Sequence, residues 1–523
     1  MDALPLVIVG MLVLSTLGIT AYAKRANRDT GDHYVAGRRI GGVVNGLALA
    51  GDQISAASFL GVVGAVALGG FNGFYLAIGI PFAYLLALLV VAEPLRNLGR
   101  YTLADAVNTR FESRGLRASI ATATLAMTVI YMVLQFIGAG LIAGLLLDVD
   151  FVLAVVVLGV LMSLYTVLGG MVATTYIQVF KTALLATMVL IVFVVAISRT
   201  GWNPLGPMVD ATERFGVGVV NPDRSDSTAN VNNVSQCIGL ALGIMGLPHV
   251  MLRFLTVRDA RAVRTSSVVS NAIFSVFFLL LPIFGYAALN EVGRERIVAD
   301  NPGGNVAGPR LAEVIGGDVL FALVAGITIA TILAVMAGLA IAASGAVAHD
   351  LYTNVLKRGD VTARQQLVVG RLAAAVVAVL AILISIGTKD TNIAAFGNIA
   401  FAIGASTTMP VLLLTFYWRG FNRTGAVSGV VGGLVFALGL TILGPAVLGE
   451  DGAIFPLTVP ALVSVPAGFL CAWLGTLAGR GRPAGGGMAY AEFEARAFPA
   501  PGDPPAVFED APARAPARRV AAR

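Results

Sequence analysis

The segment that most constrains this chain is an apolar run over 42–69, long enough to cross a bilayer, that breaks in its middle. There it reads Leu49-Ala50-Gly51-Asp52-Gln53-Ile54-Ser55-Ala56-Ala57-Ser58. A glycine, a carboxylate, an amide and two hydroxyls stand where a membrane helix should be oily. In hydrocarbon, unwound backbone and an ionisable side chain survive only where they line a cavity or a site. A discontinuous helix near the bilayer midplane is the usual place of a solute or ion site in a secondary transporter.

Composition agrees with an all-α polytopic membrane protein. The chain is 57% hydrophobic and 12% charged, against about 25% charged in soluble domains. Apolar stretches of spanning length, about 20 residues, recur thirteen times. They lie near 4–23, 42–69, 72–92, 119–147, 151–169, 174–198, 234–252, 266–289, 319–347, 367–387, 393–418, 424–448 and 457–478. The first has no basic segment ahead of it, and Lys24 and Arg25 follow it. It reads as a retained helix with an external N-terminus rather than a cleaved signal. On that orientation Lys and Arg crowd into the loops near 24–41, 93–118, 253–265, 348–371 and 419–423 and into the tail, which the positive-inside rule assigns to the cytoplasm. The net charge of +6 therefore needs no nucleic acid. Cys237 and Cys471 imply no disulfide framework, and His33, His249 and His349 are too scattered to imply a metal cluster.

The chain divides into a membrane domain, 1–478, and a tail, 479–523, which is rich in Ala, Pro, Gly and Arg and expected to be disordered and cytoplasmic. External loops near 199–233 and 291–318 are long, with no readable role. Thr102 and Asp105 have capping-box spacing for a short surface helix. A second interruption, at Gly239, Gly243, Gly246 and Pro248-His249, falls five helices after the first. Paired breaks in helices 2 and 7 imply inverted five-helix repeats, about 42–198 and 234–418, with the site between them.

Several motifs in one order resemble the sodium:solute symporter family. Tyr165-Thr166-Val167-Leu168-Gly169-Gly170-Met171-Val172-Ala173 is similar to its signature stretch. Gly51-Asp52-Gln53-Ile54-Ser55 through Phe59-Leu60-Gly61 resembles its unwound first core helix, and Ala348-His349-Asp350-Leu351-Tyr352 the end of its eighth. Leu95-Arg96-Asn97-Leu98-Gly99-Arg100-Tyr101-Thr102, Ala173-Thr174-Thr175, Gly246-Leu247-Pro248-His249 with Arg253-Phe254, and Thr331-Ile332-Leu333-Ala334-Val335 narrow the likeness to the cation/acetate symporter and monocarboxylate permease branch. The resemblance covers about 1–478. It implies a LeuT-like fold of five plus five helices, alternating access, and a cation between helices 2 and 9. It assigns backbone carbonyls of Gly51 and Ile54 to sodium, with Thr331 opposite. The family's two hydroxyl positions in helix 9 fall here on Ala334 and Val335, which carry no oxygen. That departure leaves two options: proton coupling, or sodium held by other oxygens such as Thr328 or Thr331, since a hard cation wants several oxygen ligands.

The candidate site follows. Asp52 is the coupling candidate, because burial favours its neutral form and so lets it carry a proton; the competing role is a cap for the following half-helix. Gln53, Ser55 and Ser58 can donate to a solute carboxylate near a half-helix N-terminus, or bond between helices. Tyr131 and Gln135 are four apart in helix 4 and share a face. His249 and Arg253 share a helix-7 face, where Arg253 attracts an anion at an inner gate or anchors the inner interface. Lys181 can snorkel to that interface, and Asp350 caps or pairs on the cytoplasmic surface.

The expected function is cation-coupled symport of acetate and other short monocarboxylates, such as propionate and pyruvate, across a bacterial-type plasma membrane. The partners are the solute, a monovalent cation, Na+ or H+, and the bilayer, with no cofactor and no enzymatic step. Proline, pantothenate, a sugar or urea are alternative solutes. A transporter-like sensor or a channel is the alternative class.

Overall fold

The computed structural model describes residues 3–23, 30–55, 57–222, 227–480 and 487–499. Side chains at 163–169, which include the first part of the signature stretch from Tyr165, lie outside the described set. In chain order the helices are α1 (Ala3–Ala23), α2 (Thr30–Val35), α3 (Gly42–Gln53), α4 (Val62–Gly69), α5 (Phe74–Ala87), α6 (Glu93–Leu98), α7 (Leu103–Phe111) and α8 (Arg114–Leu147). Then come α9 (Phe151–Ser198), α10 (Gly206–Phe215), α11 (Ser227–Gly243), α12 (Pro248–Leu255), α13 (Ala260–Glu291), α14 (Arg294–Asp300) and α15 (Ala307–Ser344). The chain ends with α16 (Ala363–Gly387), α17 (Ile393–Ser406), α18 (Thr408–Tyr417), α19 (Arg423–Ile442), α20 (Pro445–Gly452), α21 (Ala461–Ala478) and α22 (Tyr490–Ala497).

Among the described residues, nine helices are long and apolar enough to cross a membrane, or ten if the bent pair Ser227–Gly246 and Pro248–Leu255 is one span. The expectation of thirteen separate spans differs for physical reasons. The runs at 42–69 and 72–92 meet within the segment Ser58–Leu98, where only the short turn 70–73 separates α4 from α5 and Gly70 (φ 56°, ψ −127°) leaves helical geometry. The segment's front partner α3 has 12 residues. Val7–Ala23 and Phe151–Met162 are shorter apolar helices of 10–17 residues. In α9 the backbone leaves helical geometry at Gly170 (φ 59°, ψ −168°), a left-handed conformation that glycine adopts without a Cβ clash.

α15 is the axis of the bundle. Of its central window, 83% is buried, against 33% for α16, whose leucines and valines face outward as lipid-facing residues do. It packs on α8, α9 and α1, while α3 packs on α9 and α13. The interruption after α3 therefore sits in the interior, against α9.

The tail corrects one expectation. Residues 487–499 hold α22, whose Phe493 and Ala497 are fully buried. Asn97 Nδ2 donates to the Ala497 carbonyl (3.1 Å), and the Tyr490 hydroxyl to that of Phe416 (3.2 Å). The Arg110 guanidinium lies 4.6 Å from the Tyr490 ring centre. Tyr490, Phe493 and Ala497 recur at helical spacing and give an otherwise polar segment one apolar face. Residues 481–486 and 500–523 lie outside the described residues.

Candidate substrate and ion site

Helix α3 ends at Gln53 because Ile54 turns out of helical geometry (φ −75°, ψ 87°). The helix then has carbonyls without intrahelical partners. Ser58 Oγ answers one of them by donating to the Gln53 carbonyl (2.7 Å), and it accepts from the Ser55 amide (3.4 Å). Ser58 thus holds the break, a role beyond the solute contact expected of it. Gly51 brings α3 onto α9: a Cβ there would sit 2.7 Å from the Gln178 carbonyl and 2.8 Å from Thr182 Oγ1.

That approach assembles a charged cluster from four helices. Asp52, from α3, is paired through both carboxylate oxygens with Arg253 of α12, and Arg253 Nη2 lies 3.3 Å from Oδ1. Arg253 Nη1 donates to Thr175 Oγ1 of α9 (2.8 Å). Gln178 Nε2, also from α9, donates to Asp52 Oδ1 and to the Ala334 carbonyl of α15 (3.2 Å). Lys181 Nζ donates to the Gly51 carbonyl. Asp52, Arg253 and Lys181 are each about 2% exposed or less. Two cationic side chains therefore surround one carboxylate in the interior of the bundle.

Two expectations change here. Arg253 does not lie at an interface: it is buried and hydrogen-bonded to the Asp52 carboxyl. Lys181 does not snorkel, because its ammonium is directed inward to α3.

Beside the cluster lies a cavity of about 20 Å³, lined by Gln53, Ser58, Tyr131 and Asn398 and walled by Val62, Leu76, Ile80, Leu240 and Phe401. Its polar groups are incompletely satisfied. Gln53 Oε1 accepts from the Tyr84 hydroxyl (3.2 Å), while Gln53 Nε2 has no partner among the described residues. The same holds for Asn398 Oδ1, His249 Nε2 and both amide atoms of Gln135. Buried polar atoms are nearly always hydrogen-bonded, and a cluster of exceptions marks a place where a ligand or water completes them. Tyr131 approaches Ser55, and its ring packs 4.9 Å from that of His249. The expected residues Gln53, Ser55, Ser58, Tyr131 and His249 thus come together, with Gln135 one helical turn from Tyr131.

The residues assigned to a cation divide differently. Thr328 Oγ1 donates to the Val324 carbonyl in its own helix (2.7 Å), whereas Thr331 Oγ1 is buried with no partner among the described residues. The carbonyls of Gly51 and Ala334 are both taken by α9 side chains. Of the oxygens assigned to sodium, the Gly51 carbonyl is engaged by Lys181, and Ala334 and Val335 supply no hydroxyl. The donor set is thus short of the several oxygens a desolvated sodium ion needs.

Sequence reasoning missed Gln178, Thr175, Tyr84 and Asn398. Their signal was present in part: Thr175, Gln178 and Thr182 recur at helical spacing in an apolar span, as polar residues rarely do without a role.

A second cluster lies where α7 and α8 meet the turns that continue α15 over 345–356. Arg117 Nη1 bridges Asp105 Oδ1 (2.6 Å) and Asp350 Oδ1 (2.8 Å), and His349 Nε2 reaches Asp105 Oδ1 (3.1 Å). Asp105 Oδ2 accepts from the Thr102 amide (3.1 Å), the reach-back that their spacing predicts. Burial would raise the Asp105 carboxyl, but His349 and Arg117 outweigh it and hold it well below the usual carboxylate range.

A buried carboxylate paired with an arginine beside the end of α3, in an all-helical many-span bundle, is the kind of feature that membrane transporters carry. The model of the sodium:solute symporter family matches residues 33–433, and the chain belongs to that family. It is 42% identical over 481 residues to the Bacillus subtilis protein called "Uncharacterized symporter YwcA", covering 90% of this chain and 93% of that one. It is 38% identical over 497 residues to the "Monocarboxylic acid transporter" of Corynebacterium glutamicum, covering 90% of each. Its fold matches the substrate-bound, outward-open structure of a Na+-coupled sialic acid symporter with a TM-score of 0.71 at 15% identity, over 90% of this chain and 98% of that one. The chain is thus a multi-pass membrane symporter whose cargo is a solute and a cation.

Proposed function

We propose that the chain takes up acetate and other short monocarboxylates, such as propionate and pyruvate, with a single cation by alternating access. The observation that carries this reading is the excess of basic groups beside the end of α3: among the described residues, Asp52 is the carboxylate that Arg253 and Lys181 share, with Lys181 on the adjoining Gly51 carbonyl. A single carboxylate solute balances that excess, and its oxygens suit the unpartnered Gln53 Nε2 and the Tyr131 hydroxyl. The cavity favours a small solute. At about 20 Å³ it holds roughly one water, so a two- or three-carbon acid enters only when the walls part, as alternation requires. The Corynebacterium relative, by its name, points to the same solute class. One monovalent cation with one acetate moves no net charge, so the membrane potential, worth about 2.3 kcal/mol per charge per 100 mV, would not act on the cycle.

The interruptions after α3 and between α11 and α12 are the paired breaks of a LeuT-like five-plus-five repeat in this reading, with the N-terminus outside and α7 and α22 at the cytoplasmic face. Thirteen crossings follow if α3 with α4 and α5 cross separately and the two short apolar helices also span. Labelled acetate uptake into proteoliposomes tests the solute class. Unlabelled propionate and pyruvate should compete, and proline, pantothenate, sugars and urea should not. Competition by one of the second group with none by the first would replace the solute.

A further inference from the structure

We infer that the Lys181 ammonium is the resident cation of the helix interruption, standing where the family resemblance puts sodium, so that this symporter works without sodium. Two independent observations meet at this point. The Gly51 carbonyl, an assigned sodium ligand, accepts a hydrogen bond from Lys181 Nζ. The two positions that should add hydroxyls are Ala334 and Val335.

The geometry is enforced. Lys181 is 2% exposed, and a lysine so enclosed needs an oxygen partner, because an unpaired buried ammonium is costly. Gly51 lacks the Cβ that would strike Gln178 and Thr182, so α3 lies close enough to α9 for the lysine to reach its carbonyl. Thr182, one residue on, donates to the Leu47 carbonyl (2.8 Å) and ties the same two helices together. An ammonium presents three donors to oxygens in the place where a desolvated sodium ion would present a bare charge. A tethered cation cannot dissociate into either compartment. The Lys181 nitrogen therefore stays beside α3 throughout the cycle, and a carbonyl that the family's sodium step would use is already engaged.

On the symport reading, accumulation then draws on the proton gradient, since acetate with a proton is the same cargo as acetic acid. Sodium binding is read without any solute, so its outcome separates from that of the acetate measurement.

The experiment is saturable 22Na+ binding to the purified full chain in detergent, at constant ionic strength. The wild type should retain none. Ala334→Ser with Val335→Thr restores the hydroxyls and should still retain none, whereas adding Lys181→Ala to that pair should produce saturable binding. Saturable binding by the wild type overturns the inference without any variant, which covers the case in which a variant fails to fold. Equal binding by the double and triple variants shows that Lys181 does not keep sodium out. A folded triple variant without binding shows that the place is not a cation site. Either result also overturns it.

Discussion

The molecule holds two buried ion clusters, one at the interruption after α3 and one at the foot of α15, and the contrast between them separates working charge from structural charge. At the foot of α15, Asp105, Arg117, His349 and Asp350 all find polar partners, and Thr102 Oγ1 adds a bond to Asp350 (3.0 Å). At the interruption two basic side chains lie beside one carboxylate, and around them Gln53 Nε2, Gln178 Oε1 and His249 Nε2 have no partner among the described residues. A satisfied network fixes one conformation. An unsatisfied one leaves binding capacity for a solute, and it can re-pair when the walls move.

Substitutions should break this contrast in a graded way. The largest effect is expected for Asp52→Asn, which leaves Arg253 buried without its anion. Acetate uptake per folded protein should fall by about a hundredfold or more, equivalent to about 2.7 kcal/mol. Uptake within a few-fold of wild type would remove Asp52 from the mechanism.

Asp105→Asn should act on stability instead. It should lower the unfolding free energy by about 3 kcal/mol, read by thermal unfolding in detergent, and leave the KM for acetate unchanged. A raised KM with unchanged stability would reverse the two clusters' roles. Because the Asp105 carboxyl is held low, its contribution is fully present above the ordinary carboxylate pKa, about 4. It is lost as pH falls through the depressed value.

His33 of α2 lies outside both clusters and sharpens the pH reading. Burial, with Arg371 nearby, lowers it from 6.5 to about 4. The unfolded chain then takes up the proton first, so stability is full above 6.5 and falls as pH drops toward 4. Between pH 7 and pH 5 the loss should be about 2 kcal/mol. His33→Gln should flatten that slope, and an unchanged slope would assign it to another group.

Asn398→Ala should have the smallest effect. It removes a polar atom from the cavity and should raise the KM for acetate about tenfold, or about 1.4 kcal/mol, with thermal unfolding unchanged. An unchanged KM would place the solute away from α17.

Much of this was legible in the residues. The polar run Gly51–Ser58 announced a break in an apolar stretch, and the structure turns the chain there. Asp52, Gln53, Tyr131 and His249 stood out because amides, rings and charges in oily helices need a reason to be there. The pairing of α3 with α9 was not legible: which face of one span meets which face of another is set by packing, so Lys181 read as a residue reaching for the interface. Span bounds were hard to read where connections as short as 70–73 and 88–92 join one helix to the next. The docked α22 was hidden by the Ala-, Pro- and Gly-rich sequence around it.

The most direct test of monocarboxylate symport around Asp52 is labelled acetate accumulation in proteoliposomes, with inward proton and sodium gradients imposed separately, for the wild type and Asp52→Asn. The account predicts proton-driven accumulation above empty vesicles, no added drive from sodium, and loss of accumulation in Asp52→Asn. No gradient-driven accumulation by the wild type, or equal accumulation by the variant, would contradict it.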